Sequence, residues 1–229
     1  MQYLSNGVLQ ALKIISGFDA EFLQIVFTSV RISFTSTLLA VLIALPVGTF
    51  LAIAKFKGRE TLITVTNTFM AFPTVVVGLL VYAFLSRMGP LGSLGLLYSF
   101  TAMVIGQFIL CFPIICGLTV SAVSSVDKKA YLTALSLGAG KLQSFRLVIY
   151  EARYAVIAAI IAGFSRVFSE VGVAMMLGGN IKGYTRTITT AIALETNKGE
   201  FALGIALGIV LLTVSFAINI LFSKLKKHV

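Results

Sequence analysis

Arg166 and Glu170 stand four residues apart, with Ser169 between them, inside an otherwise apolar run at residues 154–177. On a helix that spacing puts both charges on one face, a turn apart. An unpaired charge in hydrocarbon costs several kcal/mol, so the two side chains face each other or the interior of a helix bundle, and not lipid. Two chemistries fit. In one, the pair is a mutual salt bridge that makes the helix insertable. In the other, Arg166 supplies positive potential to the path of an anion, and Glu170 restrains it so that the ion is not held tightly. Arg before Glu is the weaker order along a helix, which favours a partner elsewhere, on a second protomer. Few other residues offer reactive groups. Cys111 and Cys116 lie five apart on one apolar stretch, which suits neither a local disulfide nor a metal site, and His228 is alone at the tail. No nucleophile has a base partner, and no G-x-x-x-x-G-K-[ST] loop is present to cradle ATP phosphates. The sequence therefore predicts neither an enzyme nor a nucleotide motor, with no metal and no cofactor of its own.

The elements that must position the pair are membrane helices. With 58% hydrophobic and 11% charged residues, the chain is too apolar to cover a soluble domain of 229 residues. Long apolar runs at 32–54, 61–86, about 98–126, 154–177 and 201–223 each reach the roughly 30 Å of hydrocarbon at 1.5 Å per residue. With their flanks they predict five transmembrane helices at 22–54, 61–86, 98–126, 149–177 and 201–223, in one domain over residues 1–229. If the N-terminus is outside, the inner loops hold eleven lysines and arginines, from Lys55 to Lys227, against five outside: Lys13, Arg87, Lys182, Arg186 and Lys198. That asymmetry predicts N-out, C-in, and the net charge of +10 is mostly this topology signal plus attraction to lipid headgroups. No basic-aromatic module accompanies it, so nucleic acid is excluded. Leu4, Val8, Leu12 and Ile15 recur at helical spacing, which predicts an amphipathic helix on the outer surface.

Two polar segments interrupt the spans. Residues 128–147 read as a helical hairpin: good helix formers carry Tyr131, Leu132, Leu135 and Leu137, Gly138 stops the first helix as a left-handed C-cap, and 141–148 begins the second. Such a hairpin is either a connector lying on headgroups or a coupling helix inserted into a groove on a soluble subunit. From Gly178 to Arg186, the glycines, Asn180 and Thr185 form a polar turn, and a short threonine-bearing helix follows at 186–194. That loop is either a solvated connector or a docking and vestibule surface, where Lys182 and Arg186 attract an arriving dianion. Pro46, Pro73 and Pro113 fall within predicted spans and mark gate hinges or packing kinks.

The hairpin resembles the cytoplasmic signature of the permease subunits of binding-protein-dependent ABC importers, E-A-A-x-x-x-G, nine residues, then I-x-L-P. Ala134, Gly138 and Val148 fall in register, while Leu132 and Thr133 replace the leading Glu-Ala, and Tyr150 and Glu151 replace the Leu-Pro. The run at 169–200, and the stretches FPTVVVGLLVY at 72–82 and RMGPLGSLGLL at 87–97, look like the tungstate-type permeases, with molybdate permeases as nearest relatives. The resemblance covers most of the chain. It implies an inner-membrane homodimer, two ATPase subunits that bind ATP and Mg, and an extracytoplasmic oxyanion-binding protein. It also implies coupling through Leu132, Ala134, Leu135, Gly138 and Lys141, a pathway at Arg166, Ser169 and Glu170, and an outer docking surface at Asn180, Lys182, Thr185 and Arg186. A permease for molybdate or another tetrahedral oxyanion, an autonomous channel or secondary transporter, and a membrane anchor for a signalling complex are the alternatives.

Overall fold

The computed structural model describes residues 13, 15–17, 20–126 and 128–227. Most of the expected surface helix at the N-terminus lies outside these residues. Among them the chain is all-helical: α1 (Ala20–Ile53), α2 (Arg59–Met70), α3 (Thr74–Leu85), a 3-10 turn (Gly92–Leu94), α4 (Phe100–Ser124), α5 (Lys128–Ser136), α6 (Lys141–Glu151), α7 (Arg153–Phe168), α8 (Gly172–Gly178), α9 (Ile188–Lys198) and α10 (Phe201–Lys227).

Helices α1 and α4 run side by side in the same direction and form the spine. Arg31 meets Phe100, Ser36 Oγ donates to Gln107 Oε1 at 3.3 Å, and Gly48 packs on Cys116 and Thr119. The contact is close because α1 turns Ser29, Ser33, Ser36, Ala40, Ala44 and Gly48 inward. A Cβ at Gly48 would sit 2.8 Å from the Cys116 carbonyl oxygen, so the backbones touch where only hydrogen fits. Small residues let membrane helices gain dispersion contact that lipid cannot supply. The opposite face of α1 exposes Phe27, Phe34, Leu38 and Leu42.

The chain departs from the predicted spans in two places. The run at 61–86 is not one helix but α2 and α3, which meet at 100°. Pro73 is the cause: it has no N–H to continue the ladder and disfavours helical backbone at the residue before it, and it instead caps α3 in an extended conformation. Pro46 and Pro113, in contrast, lie inside uninterrupted α1 and α4. The run at 149–177 is divided as well. It bends by 75° at Ala152 between α6 and α7 and breaks again after Phe168 before α8. Three helices are long and apolar enough to cross a membrane, or up to five if each bent pair is one span. Climbing along α4, Gly163 of α7 packs on Cys111 and Ile115, Val173 and Leu177 of α8 on Gly106, and Gly178 on Met103.

Candidate functional site

The break between α7 and α8 carries Arg166 and Glu170. Arg166 Nη1 lies 2.7 Å from Glu170 Oε2, so the two residues pair with each other within one protomer, against the expectation drawn from their order. At 169–171 the chain has left the helix, which removes the orientational penalty that regular i,i+4 geometry imposes. The Glu170 carboxylate is buried and fully engaged. Its Oε1 accepts from the backbone N–H groups of Gly172 at 2.8 Å and Val173 at 3.3 Å, so it caps the first turn of α8. A carboxylate there satisfies orphan donors and complements the positive end of the helix. Thr189 Oγ1 donates to the Glu170 carbonyl at 2.8 Å and ties the break to α9.

The two partners differ in access. Glu170 is 4% exposed, whereas Arg166 is 42% exposed. A guanidinium has five N–H donors in a planar fork, and the Arg166–Glu170 bond engages one of its nitrogens. The buried carboxylate anchors the guanidinium, and among the described residues no second side chain bonds to it. Ser169 is exposed beside it, with its hydroxyl proton donated to the Ser165 carbonyl at 2.8 Å. The arrangement leaves guanidinium surface accessible beside an exposed serine.

The loop beyond α8 is stapled to the start of α1. Lys182 Nζ and Arg186 Nη1 lie 2.6 and 3.3 Å from the two oxygens of Glu21, and Gln24 Nε2 donates to the Gly183 carbonyl at 2.6 Å. Ile188 N donates to Ser29 Oγ at 2.7 Å. Two cations share one carboxylate, so the loop keeps a net positive charge but neither side chain is free of a partner. Thr185 is buried, bonding the Gly178 carbonyl and accepting from Ile181 N, and Asn180 adopts a left-handed φ of 50° with its side-chain oxygen buried. Of the four residues predicted here, Lys182 faces solvent, joined by the exposed Ile181 and Tyr184. Sequence reasoning missed Glu21, Gln24 and Ser29, the anchors of the loop. The acidic Glu21, at the head of a span facing a loop rich in cations, was the available signal.

At the far end of the bundle, α5 and α6 form the predicted hairpin. Gly138 has φ 85°, and the N–H groups of Gly138 and Ala139 close on the carbonyls of Leu135 at 3.0 Å and Ala134 at 2.9 Å. This is the double closure that a left-handed C-cap allows. Gln143 Oε1 reaches back to Gly140 N at 2.8 Å and orders the start of α6, which Lys141 opens. Ala134 is buried inside the hairpin, while Leu132, Leu135, Leu137 and Leu142 are exposed. The hairpin therefore presents an apolar outer face. Between the hairpin and the ends of α1 and α4 lies a cleft of about 460 Å³, bordered by Lys55, Arg59, Val126, Leu132 and Val148. Arg59 closes the end of α1, donating to the carbonyls of Leu51 at 2.6 Å and Ala52 at 3.3 Å. Among the described residues no group of His, Cys, Asp or Glu could hold a metal ion.

The sequence was compared with known proteins. Residues 44–229 match the family described as binding-protein-dependent transport system inner membrane component. The chain is 41% identical over 228 residues to the tungstate uptake system permease protein of Peptoclostridium acidaminophilum, covering 100% of both chains. It is 42% identical over 227 residues to the protein of the same name from Campylobacter jejuni, covering 99% of this chain and 95% of that one. The molybdenum transport system permease protein of Escherichia coli is more distant, 30% identical over 186 residues, with 75% and 81% covered. Among solved structures, the fold matches a chain of an inward-facing methionine ABC transporter with a TM-score of 0.73 at 16% identity, covering 89% and 94%. It also matches a chain of a bacterial alginate ABC transporter in complex with its alginate-bound periplasmic protein, with a TM-score of 0.74 at 17% identity, covering 99% and 88%. A helical bundle with a Gly-capped hairpin at one end and a charged helix break within it, matched over most of its length, therefore belongs to the inner-membrane components of binding-protein-dependent transport systems.

Proposed function

We propose that this chain is the translocation subunit of an ATP-driven tungstate importer. It works as a homodimer on two ATPase subunits that bind ATP and Mg, and it receives the oxyanion from an extracytoplasmic binding protein. The observation that carries the reading is the end-to-end likeness to two tungstate permeases, against partial coverage of the molybdenum one. Five spans are α1, the bent pair α2–α3, α4, α7 with α8, and α10, oriented N-out and C-in by the charge asymmetry of the loops. Together α7 and α8 hold 16 and 7 residues, about 35 Å of helix, enough to cross in two pieces.

The mechanism is alternating access. The exposed leucines of the hairpin, with Ala134, Gly138 and Lys141 setting its shape and register, are gripped by the ATPase. Motion passes through α6 and the bend at Ala152 into α7, where Arg166 lies fourteen residues beyond the bend, about 21 Å along the helix. Arg153 stiffens the bend: its Nη1 donates to the Tyr150 carbonyl at 2.9 Å and its guanidinium lies 4.3 and 4.6 Å from the centroids of Tyr150 and Tyr154. At the far end the open fork of Arg166, beside Ser169, offsets part of the dianion's desolvation, and Glu170 keeps the arginine oriented and the ion loosely held. The outer loop with Lys182, Arg186, Asn180 and Thr185 receives the binding protein.

The test is uptake by the purified complex in vesicles, with binding protein and substrate on one side and ATP with Mg on the other. ATP-dependent accumulation of tungstate, favoured over an equal concentration of molybdate, is expected. Faster molybdate uptake overturns the assigned substrate, and accumulation that needs no ATP overturns the importer.

A further inference from the structure

Arg31 stands eleven residues into α1, exposed at the edge of the apolar outer face, from which its side chain reaches Phe100 of α4. Ser29, Ile32, Ser33 and Ser36 are buried, while Phe27, Phe34 and Leu38, at i−4, i+3 and i+7 from Arg31, are exposed. The Arg31 guanidinium lies 4.5 Å from the centroid of the Phe100 ring, and among the described residues no carboxylate pairs with it. A charge on an apolar, outward face needs a counter-charge that the protomer does not supply.

Helix length fixes its depth. The 34 residues of α1 extend about 51 Å, against about 30 Å of hydrocarbon. Lys55, Lys57 and Arg59 follow directly after Ile53 and hold that end at the headgroups. The surplus of roughly 20 Å therefore projects at the other end. Counting back from Ile53, Arg31 lies twenty-two residues away, about 33 Å, where hydrocarbon gives way to headgroups. Phe100 is the first residue of α4 behind its Ser99 cap, and it marks the same level.

We propose that Arg31 is a binding site for the headgroup phosphate of a phospholipid, in the outer leaflet for the orientation given above. The planar fork of arginine matches phosphate oxygens in pairs, and the Phe100 ring supports its face while leaving the N–H edge free. Phe34, Leu38 and Leu42 continue along the same face toward the bilayer centre and receive the acyl chains. A transported oxyanion shares the phosphate's chemistry. The lipid is favoured because this face carries bulky apolar side chains, whereas α1 turns its small and polar residues into the bundle.

The experiment is native mass spectrometry of the intact complex from nanodiscs of phosphatidylethanolamine and phosphatidylglycerol. Arg31→Gln should retain one phospholipid fewer per copy of this chain, and Arg31→Lys, with charge but no fork, should retain it at an intermediate level. Wild type in a phosphate-free glycolipid should show the retention of Arg31→Gln. Uptake of tungstate per assembled complex should be unchanged in the variants. Equal phospholipid retention by wild type and Arg31→Gln overturns the proposal. So does a loss of uptake with lipid retention intact, which would give Arg31 to the transported anion, or a loss of dimer with retention intact, which would give it to the second copy. Should Arg31→Gln fail to assemble, Phe100→Leu and the glycolipid comparison decide, and unchanged retention in both refutes the site.

Discussion

Gly138 offers a perturbation whose size can be worked out from backbone geometry alone. Its φ of 85° belongs to the left-handed region, and a Cβ built there meets nothing within 4 Å. A substitution at this position therefore costs conformational energy and no steric contact. A non-glycine residue held in that region is strained by about 1–3 kcal/mol, with a β-branched side chain at the upper end. Gly138→Val should thus disfavour the hairpin's closed turn by about 2–3 kcal/mol, which is roughly a thirty- to 150-fold shift in its population. Gly138→Asn, which tolerates the left-handed region, should stay close to wild type. The assay is ATP hydrolysis by the purified complex, stimulated by loaded binding protein, with membrane insertion checked separately. The valine variant should insert normally and lose most stimulation, while asparagine keeps it. Full stimulation in the valine variant would refute the hairpin as the coupling element.

Three further outcomes follow from packing and charge. Gly48→Ala forces a Cβ to within 2.8 Å of the Cys116 carbonyl oxygen and should destabilise the α1–α4 contact by about 1–3 kcal/mol, read as a lower thermal midpoint in detergent. An unchanged midpoint would show that the two helices do not touch there. Glu170→Ala removes both the counter-charge of Arg166 and the cap of α8 and should cost about 3–5 kcal/mol in folding, whereas Glu170→Gln, which loses the counter-charge but still accepts from Gly172 and Val173, should cost less by about the 1 kcal/mol of the cap. Equal yields of folded protein from both would remove the capping role. In a background with Cys111 and Cys116 replaced, a cysteine at position 182 should label from the extracytoplasmic side and one at 142 from the cytoplasm; labelling of 182 from the cytoplasm would invert the orientation.

The features legible in the sequence are those fixed by neighbouring residues. Gly138 was readable as a left-handed cap because the conformation depends on one residue lacking a Cβ and on the helix before it. The apolar runs were readable because transfer from water depends on composition along a stretch. Pro73 shows the limit: hydropathy runs unbroken through it, yet the missing N–H turns α3 by 100° from α2. Arg166 and Glu170 were legible as a charged pair on one face, but their order pointed to a partner elsewhere, and both their mutual pairing and the capping of α8 by Glu170 were hidden because a helix break in an apolar run leaves no compositional trace. Glu21, which gathers Lys182 and Arg186, is joined to Arg186 across 165 positions that only the tertiary fold brings together. Arg31 fell at the edge of an apolar run, where a charge reads as a boundary, and its exposure on the outward face emerges only once α1 is packed on α4.

The most direct test of the account is oxyanion uptake by the double variant Arg166→Gln, Glu170→Gln, normalised to assembled complex. Both charges leave together, so none is stranded in the membrane, and glutamine at 170 keeps an acceptor for the first turn of α8. The account predicts normal assembly with tungstate uptake reduced at least ten-fold, since about 1.4 kcal/mol of lost stabilisation is enough for that. Wild-type uptake would contradict it and reduce the pair to a salt bridge that lets the helix enter the membrane.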